Sequence, residues 1–192
     1  MKVLVVVDMQ NDFVDGALGT PEAQKIVTKV CDEIVRRADG ETLVIFTRDT
    51  HPDNYMETLE GKNLPVPHCI AGTEGWEINS AVWGTYSAIS HRFNDEALHV
   101  KNGVIIDKPT FGSMDLQHIL FTLDDPQISE GLEEITLMGL CTGICVMSNA
   151  ILAKATLPEV PVNVVADCCA CVTPESHKTA LEAMKLCQIN II

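Results

Sequence analysis

No stretch of this sequence is apolar for long enough to span a bilayer, and none reads as a cleavable leader. The apolar start from Met1 to Val7 is interrupted at Asp8 with no small-residue cleavage site behind it, so it reads as a buried strand. Basic residues are scarce: 13 Lys and Arg stand against 27 Asp and Glu, for a formal charge of −14, and the few are scattered. Nucleic acid and anionic membrane both need a basic patch, so neither is expected as a partner, and the acidic surface serves solubility. Repeats, linkers and low-complexity stretches are absent. The eight cysteines, at 31, 69, 141, 145, 168, 169, 171 and 187, contain a single C-x-x-C spacing, Cys168 to Cys171, with no second pair to complete a metal cluster, and a chain of this size needs no disulfide staples. Reduced thiols in a cytoplasmic protein are expected, most of them packed as small hydrophobes.

What is present is a regular alternation. With 192 residues, 46% of them hydrophobic, the chain suits one domain over 1–192, since domains commonly run to about 100–200 residues. Six runs rich in Val, Ile and Leu read as strands: Lys2 to Asp8, Thr42 to Asp49, Gly103 to Lys108, Glu134 to Cys141, Val162 to Asp167 and Gln188 to Ile192. They are continuous rather than alternating, as in strands covered on both faces. Helical patterns lie between them. Ile26, Val27, Val30, Cys31, Ile34 and Val35 form one apolar stripe, with Thr20 as cap, Pro21 in the first turn and Gly40 beyond the end. Thr173-Pro174-Glu175 opens a later helix with Ala180, Leu181 and Met184 facing inward. The fold class expected is α/β, a three-layer α/β/α sandwich around a six-stranded parallel sheet.

In such sheets ligands bind beyond the carboxyl ends of the strands. Asp8, Asp49 and Lys108 end the first three strands, and Cys141 and Cys145 straddle the turn after the fourth. A solvated strand end explains any one of them; a site explains the set. Met138-Gly139-Leu140-Cys141-Thr142-Gly143-Ile144-Cys145-Val146 runs from a strand through a turn into an apolar helix that Pro158 stops. A cysteine near a helix N-terminus has N–H groups and a macrodipole that favour the thiolate, and the same N–H groups can bind an oxyanion. On spacing alone, Cys145 suits a buried small residue equally well.

Asp8-Met9-Gln10-Asn11-Asp12-Phe13 resembles the D-x-Q-x-D-F opening of the isochorismatase-like cysteine hydrolases. Gly139 to Val146 is similar to that family's G-x-x-T-x-x-C-V nucleophile turn, and Lys108 occupies the place of the family lysine. The resemblance covers essentially the whole chain in the right order. It implies that Cys145 attacks a carbonyl carbon to form a thioester, that Asp8 moves the proton, and that Lys108 holds both by charge. It also implies an oxyanion hole from the Cys141 and Cys145 amides, behind a cis peptide mapping to Leu140-Cys141. Gly143 departs from the pattern, since many relatives carry Asp there.

Arg48-Asp49-Thr50-His51-Pro52 follows the second strand, and Pro65-Val66-Pro67-His68-Cys69-Ile70-Ala71-Gly72-Thr73-Glu74-Gly75 follows later. Asp49 and His51, two apart, face the same side of an extended chain; a capped turn explains D-x-H alone more often than a metal does. These segments resemble the metal loop of the nicotinamidase branch, which implies Asp49, His51 and His68 as ligands of one divalent transition metal. Zinc is the expected ion, with iron or manganese as alternatives, and no organic cofactor is expected. Glu60 matches a fourth, glutamate ligand if one gap is allowed; Glu57 is the fallback, and a solvated loop carboxylate explains either. His91, His99, His118 and His177 match no family position. Cys168-Cys169-x-Cys171 reads as core packing, with Cys169 near the pocket wall.

The resemblance thus favours a metal-containing amidase acting on nicotinamide or a close heteroaromatic amide. The alternatives are a related hydrolase of another small amide or of isochorismate, and a binding protein without catalysis. The carboxylate and two histidines also fit non-haem iron oxygenases, which need no cysteine. Phe13 matches one wall of the substrate pocket. The second aromatic wall is missing at Leu64 or Pro65, with Phe111 or Trp76 as substitutes. A small-molecule amide is the expected partner, and assembly into a homo-oligomer is left open.

Overall fold

The computed structural model describes residues 1–93, 104–126 and 131–192. His99 and the expected start of the third strand at Gly103 lie outside the described residues. Six parallel strands form one sheet: β1 (Lys2–Val7), β2 (Thr42–Asp49), β3 (Val104–Lys108), β4 (Glu134–Leu140), β5 (Val162–Ala170) and β6 (Asn190–Ile191). Their order is β3-β2-β1-β4-β5-β6. β1 is central because Val3 to Val7 are all buried, which requires cover on both faces. The chain steps outward from β1 to β3 and returns to lay β4 against β1. The order therefore reverses at β1/β4, and an α/β sheet opens a crevice at that point.

Helices α1 (Asn11–Val14), α2 (Pro21–Arg36), α3 (Leu59–Asn63), α4 (Ser80–Ile89), α5 (Met114–Leu123), α6 (Met147–Thr156) and α7 (Pro174–Leu186) connect the strands. α2 packs on α4, whereas α6 touches both α5 and α7, giving a helical layer on either side of the sheet. Thr20 caps α2 by accepting the Ala23 amide at 3.0 Å, and Ile26, Val30 and Ile34 are buried along its stripe. Val35 falls off that stripe and is 46% exposed. Thr173 and Ser176 form a capping box on α7, which buries Ala180 and Met184. Among the described residues no helix is long and apolar enough to cross a membrane.

Three strand expectations need correction. β3 is an edge strand whose Ile105 and Asp107 face outward, so it is not covered on both faces. β5 runs three residues further than its apolar run, to Ala170, because Gly139 and Leu140 pair with Cys169 and Ala170 after a register shift in the ladder. β6 is only Asn190–Ile191, since Gln188, at φ 62°, belongs to the turn that closes α7.

Gly139 explains how β1 and β4 approach so closely. Its φ is 121°, and a Cβ there would lie 2.1 Å from the Val7 carbonyl oxygen. Gly139→Ala is therefore expected to cost about 3 kcal/mol or more, combining backbone strain with overpacking. A urea midpoint close to that of the parent protein would contradict this.

Candidate active site and metal centre

The carboxyl ends of β1, β2 and β3 bring three charged side chains together out of solvent: Asp8, Asp49 and Lys108 are each at most 2% exposed. Asp8 sits just past β1 at φ 46°, a left-handed conformation uncommon outside glycine, and its N–H donates to the Thr47 carbonyl at 3.1 Å. One carboxylate oxygen of Asp8 accepts the Thr47 hydroxyl at 2.6 Å; the other pairs with Lys108 Nζ at 2.7 Å. The same ammonium lies 3.5 Å from Asp49 Oδ1 and donates to Cys145 Sγ at 3.6 Å. One cation thus joins the first three strands to the turn after the fourth.

Burial governs the proton affinities. It pulls Lys108 down, but Asp8, Cys145 and Asp49 outweigh it and hold the ammonium protonated well above the usual lysine range. Burial raises Asp8, the charge of Asp49 adds to it, and Lys108 opposes without cancelling, so this carboxyl is more basic than usual. Burial and then Asp8 push the Cys145 thiol well above its ordinary value, against the pull of Lys108. Burial and Asp8 thus oppose the thiolate that a helix end favours. The turn is also different: Thr142–Val146 is π-helical, and α6 begins only at Met147. The Leu140–Cys141 peptide is cis. The Cys141 carbonyl accepts the amides of Ile144 at 3.0 Å and Val146 at 3.2 Å, which closes the turn around the thiol.

Beside this group Asp49, His51, Glu60 and His68 each offer a ligand atom, all within 4.8 Å of one another. Donors of one tetrahedral ion at ~2.0–2.2 Å lie ~3.3–3.6 Å apart, about the separations of the two histidines from Asp49, and a side-chain adjustment of about 1 Å gathers the rest. His51 Nε2 is 3.0 Å and His68 Nε2 3.6 Å from Asp49 Oδ2, and Glu60 Oε1 is 3.8 Å from His51 Nε2. His68 Nδ1 donates to the Val66 carbonyl at 2.8 Å, which directs Nε2 at the cluster. Burial would raise Asp49, yet His51, His68 and Lys108 outweigh it and keep the carboxylate ionised well below the usual range. The donor set therefore fits a divalent metal. Glu57 is instead exposed and accepts from Asn54.

A cavity of about 340 Å³ opens over both groups. Phe13, His68 and Glu60 line one side, and Cys141, Cys145 and Ile144 another; Leu18, Leu64, Phe111 and Val172 complete much of its wall. Phe111 thus reaches the cavity, whereas Trp76 does not line it: its indole donates to Thr50 and its ring lies 3.5 Å from the Arg48 guanidinium. Cys171, rather than Cys169, lines the cavity; Cys169 belongs to β5 and borders a separate cleft beside α2.

The isochorismatase domain profile matches residues 2–192. This chain belongs to the isochorismatase family. It is 26% identical to the nicotinamidase/pyrazinamidase of Mycobacterium tuberculosis, over all of this chain and 98% of that protein. Identity to the nicotinamidase of Saccharomyces cerevisiae is 25%, over 80% of this chain and 81% of that one. Among solved structures, the pyrazinamidase of Pyrococcus horikoshii in complex with zinc superposes with a TM-score of 0.73 at 28% identity, covering 100% of this chain and 98% of the other.

In this isochorismatase domain the opening motif carries more than its first aspartate. Gln10 donates to the Asp49 carbonyl at 2.9 Å and accepts the Asp49 amide at 2.7 Å, clamping the Asp49 backbone from both sides. Asp12 accepts the amide of Cys69 at 2.7 Å, pinning the residue after His68. The Phe13 ring lies 5.5 Å from that of His68. Residues from 8 to 13 thus reach both centres at once. Sequence reasoning missed these holding roles, and it missed Thr47, which looks like one more β-branched strand residue. It also missed His177, whose Nδ1 lies 2.8 Å from the buried Thr142 hydroxyl in the turn that carries Cys145. His91 and His118 are exposed, and neither belongs to the metal cluster.

The raised thiol affinity has a direct readout. At neutral pH the far-ultraviolet thiolate absorbance of the parent protein minus that of Cys145→Ala should be near zero. It should appear only as the pH rises into the alkaline range. A full thiolate difference at neutral pH would refute the burial argument.

Proposed function

We propose that this chain is a metal-dependent cysteine amidohydrolase that hydrolyses nicotinamide to nicotinate and ammonia. The observation that carries the reading is the single cation, Lys108, bridging Asp8 and Cys145 directly beside a four-donor cluster in one cavity. The curated relatives named above support the substrate, and the zinc of the Pyrococcus relative supports zinc as the ion. One domain over residues 1–192, and a cytoplasmic location in keeping with eight free cysteines, belong to the same proposal.

Asp8, made more basic by burial, accepts the Cys145 thiol proton. Lys108 compensates the charge as sulfur attacks the amide carbon. The amide groups of Cys141 and Cys145 receive the developing oxyanion. Asp8 then protonates the departing nitrogen, ammonia leaves, and a thioester remains on Cys145. Asp8 takes a proton from water, which attacks the thioester and frees nicotinate; Cys145 regains its proton. Asp49, His51, Glu60 and His68 would hold the ion. The chemistry such an ion supplies when bound is Lewis-acid coordination of a ring nitrogen at a fixed distance from the amide. Phe13 and Phe111 flank the ring. Leu64 at the remaining wall offers no aromatic face, which forgoes about 0.5–1.5 kcal/mol of stacking and raises KM up to roughly tenfold.

Ammonia release from millimolar nicotinamide by metal-loaded protein tests the reaction. Cys145→Ala should be folded and inactive, and Asp8→Asn should lose about 10²–10⁴-fold in kcat, with Lys108→Ala similarly impaired. Near-normal rates in any of these would refute the assignment. Turnover of an aliphatic amide but not of nicotinamide would instead shift the substrate within the same chemistry.

Metal analysis should find about one transition-metal ion per chain, as for a single site. His51→Ala and His68→Ala should lose most of it, and Glu60→Ala less. Protein purified without chelator and free of metal would overturn the metal part of the proposal.

A further inference from the structure

Asn149 lies on α6 one turn after Cys145 and is fully buried, yet no step above uses it. Its amide makes three hydrogen bonds, each to a different backbone group. Nδ2 donates to the Cys145 carbonyl at 2.8 Å and to the Phe111 carbonyl at 3.1 Å, while Oδ1 accepts the Ser113 amide at 2.9 Å. Both amide hydrogens are therefore used, and the partners dictate which way the group faces. The first partner is the nucleophile's own residue, the second a wall of the cavity, and the third the cap of α5. Gly112 stands between the last two, where a Cβ would meet Leu152 Cδ1 at 2.6 Å. The loop from Lys108 to α5 is thus docked on α6 by close approach as well as by polar contact. Phe111 itself is 44% exposed and has limited packing of its own to hold it in place.

We propose that Asn149 is a positioning residue with two separable links: its bond to the Cys145 carbonyl holds the sulfur in line for attack, and its bonds to Phe111 and Ser113 hold the wall against which the substrate packs. The inference rests on the function proposed above. Any shift of the wall against the turn leaves a buried carbonyl or N–H without its partner, at the desolvation cost of that group. Misplacement of about 1 Å from a residue outside the chemistry can cost about a hundredfold in rate.

The test compares metal-loaded parent protein with Asn149→Ala and Asn149→Thr. A helical threonine hydroxyl reaches the carbonyl four residues back, so the second variant restores the link to Cys145 but not those to Phe111 and Ser113. The readouts are kcat and KM for nicotinamide, the rate of Cys145 alkylation by iodoacetamide, and the thermal midpoint. Asn149→Ala should lower kcat by about tenfold or more, raise KM and change the alkylation rate at least about threefold. Asn149→Thr should recover kcat and alkylation to within about threefold of the parent while KM stays raised. A folded Asn149→Ala that keeps kcat, KM and alkylation within about twofold of the parent, whatever its thermal midpoint, overturns the proposal; so does a threonine variant no faster than alanine. If Asn149→Ala does not fold, Asn149→Thr decides: raised KM with near-parent kcat supports the role, and both unchanged or both falling together overturns it. If the parent does not hydrolyse nicotinamide, the functional reading fails separately and alkylation decides. Alteration in alanine with restoration in threonine supports the role, and three equal rates overturn it.

Discussion

The ammonium of Lys108 is the contact on which the rest of the site depends. It is held out of solvent between the carboxylates of Asp8 and Asp49 and the sulfur of Cys145. A buried cation of this kind is stabilised only while its counter-charges stay in place, and removing one partner of a buried pair typically costs about 3–5 kcal/mol. Asp8 comes from the central strand, Asp49 from its neighbour, Lys108 from the edge strand and Cys145 from the turn beyond β4. The cation therefore ties four chain segments together and tolerates little displacement of any. The same surroundings leave Asp8 more basic and Cys145 less acidic than usual, which suits the proton transfer proposed between them.

Much of this was legible in the chain. The apolar runs located all six strands, most directly the central ones, which are buried on both faces, and the strand ends then placed Asp8, Asp49 and Lys108 on one edge. The two loop segments carrying Asp49, His51, Glu60 and His68 were identified by resemblance, and they converge in space. What was not legible lies in pairings between distant residues. Nothing near Thr47 announces that its hydroxyl will meet Asp8, because that contact depends on the β1–β2 register. The length of β5 depends on the shifted ladder beyond Gly139 rather than on its own composition. The thiol's depth and its carboxylate neighbour, which oppose the thiolate favoured by the turn, were likewise not legible, because both depend on how the four strand ends converge.

The opening motif also shows why a spacing can outlast any one of its functions. Asp8, Gln10 and Asp12 alternate along the chain as it leaves the sheet, and each takes up a different part of the surroundings: the cation, the backbone of Asp49 and the amide of Cys69. Gln10 and Asp12 need touch no substrate for a change in either to loosen both centres.

Three of the four donors of the cluster, His51, Glu60 and His68, lie inside the single excursion that follows β2, which Asp49 ends, whereas Asp8, Lys108 and Cys145 span nearly the whole chain. The two centres therefore differ in how they can be lost. Trimming or rewriting that one excursion would erase the ion-binding set in a single event and leave the proton-transfer pair and its cation standing. On the proposed reading, the ion-binding excursion is a separable cassette, while the trio on the strand ends is committed to the sheet itself.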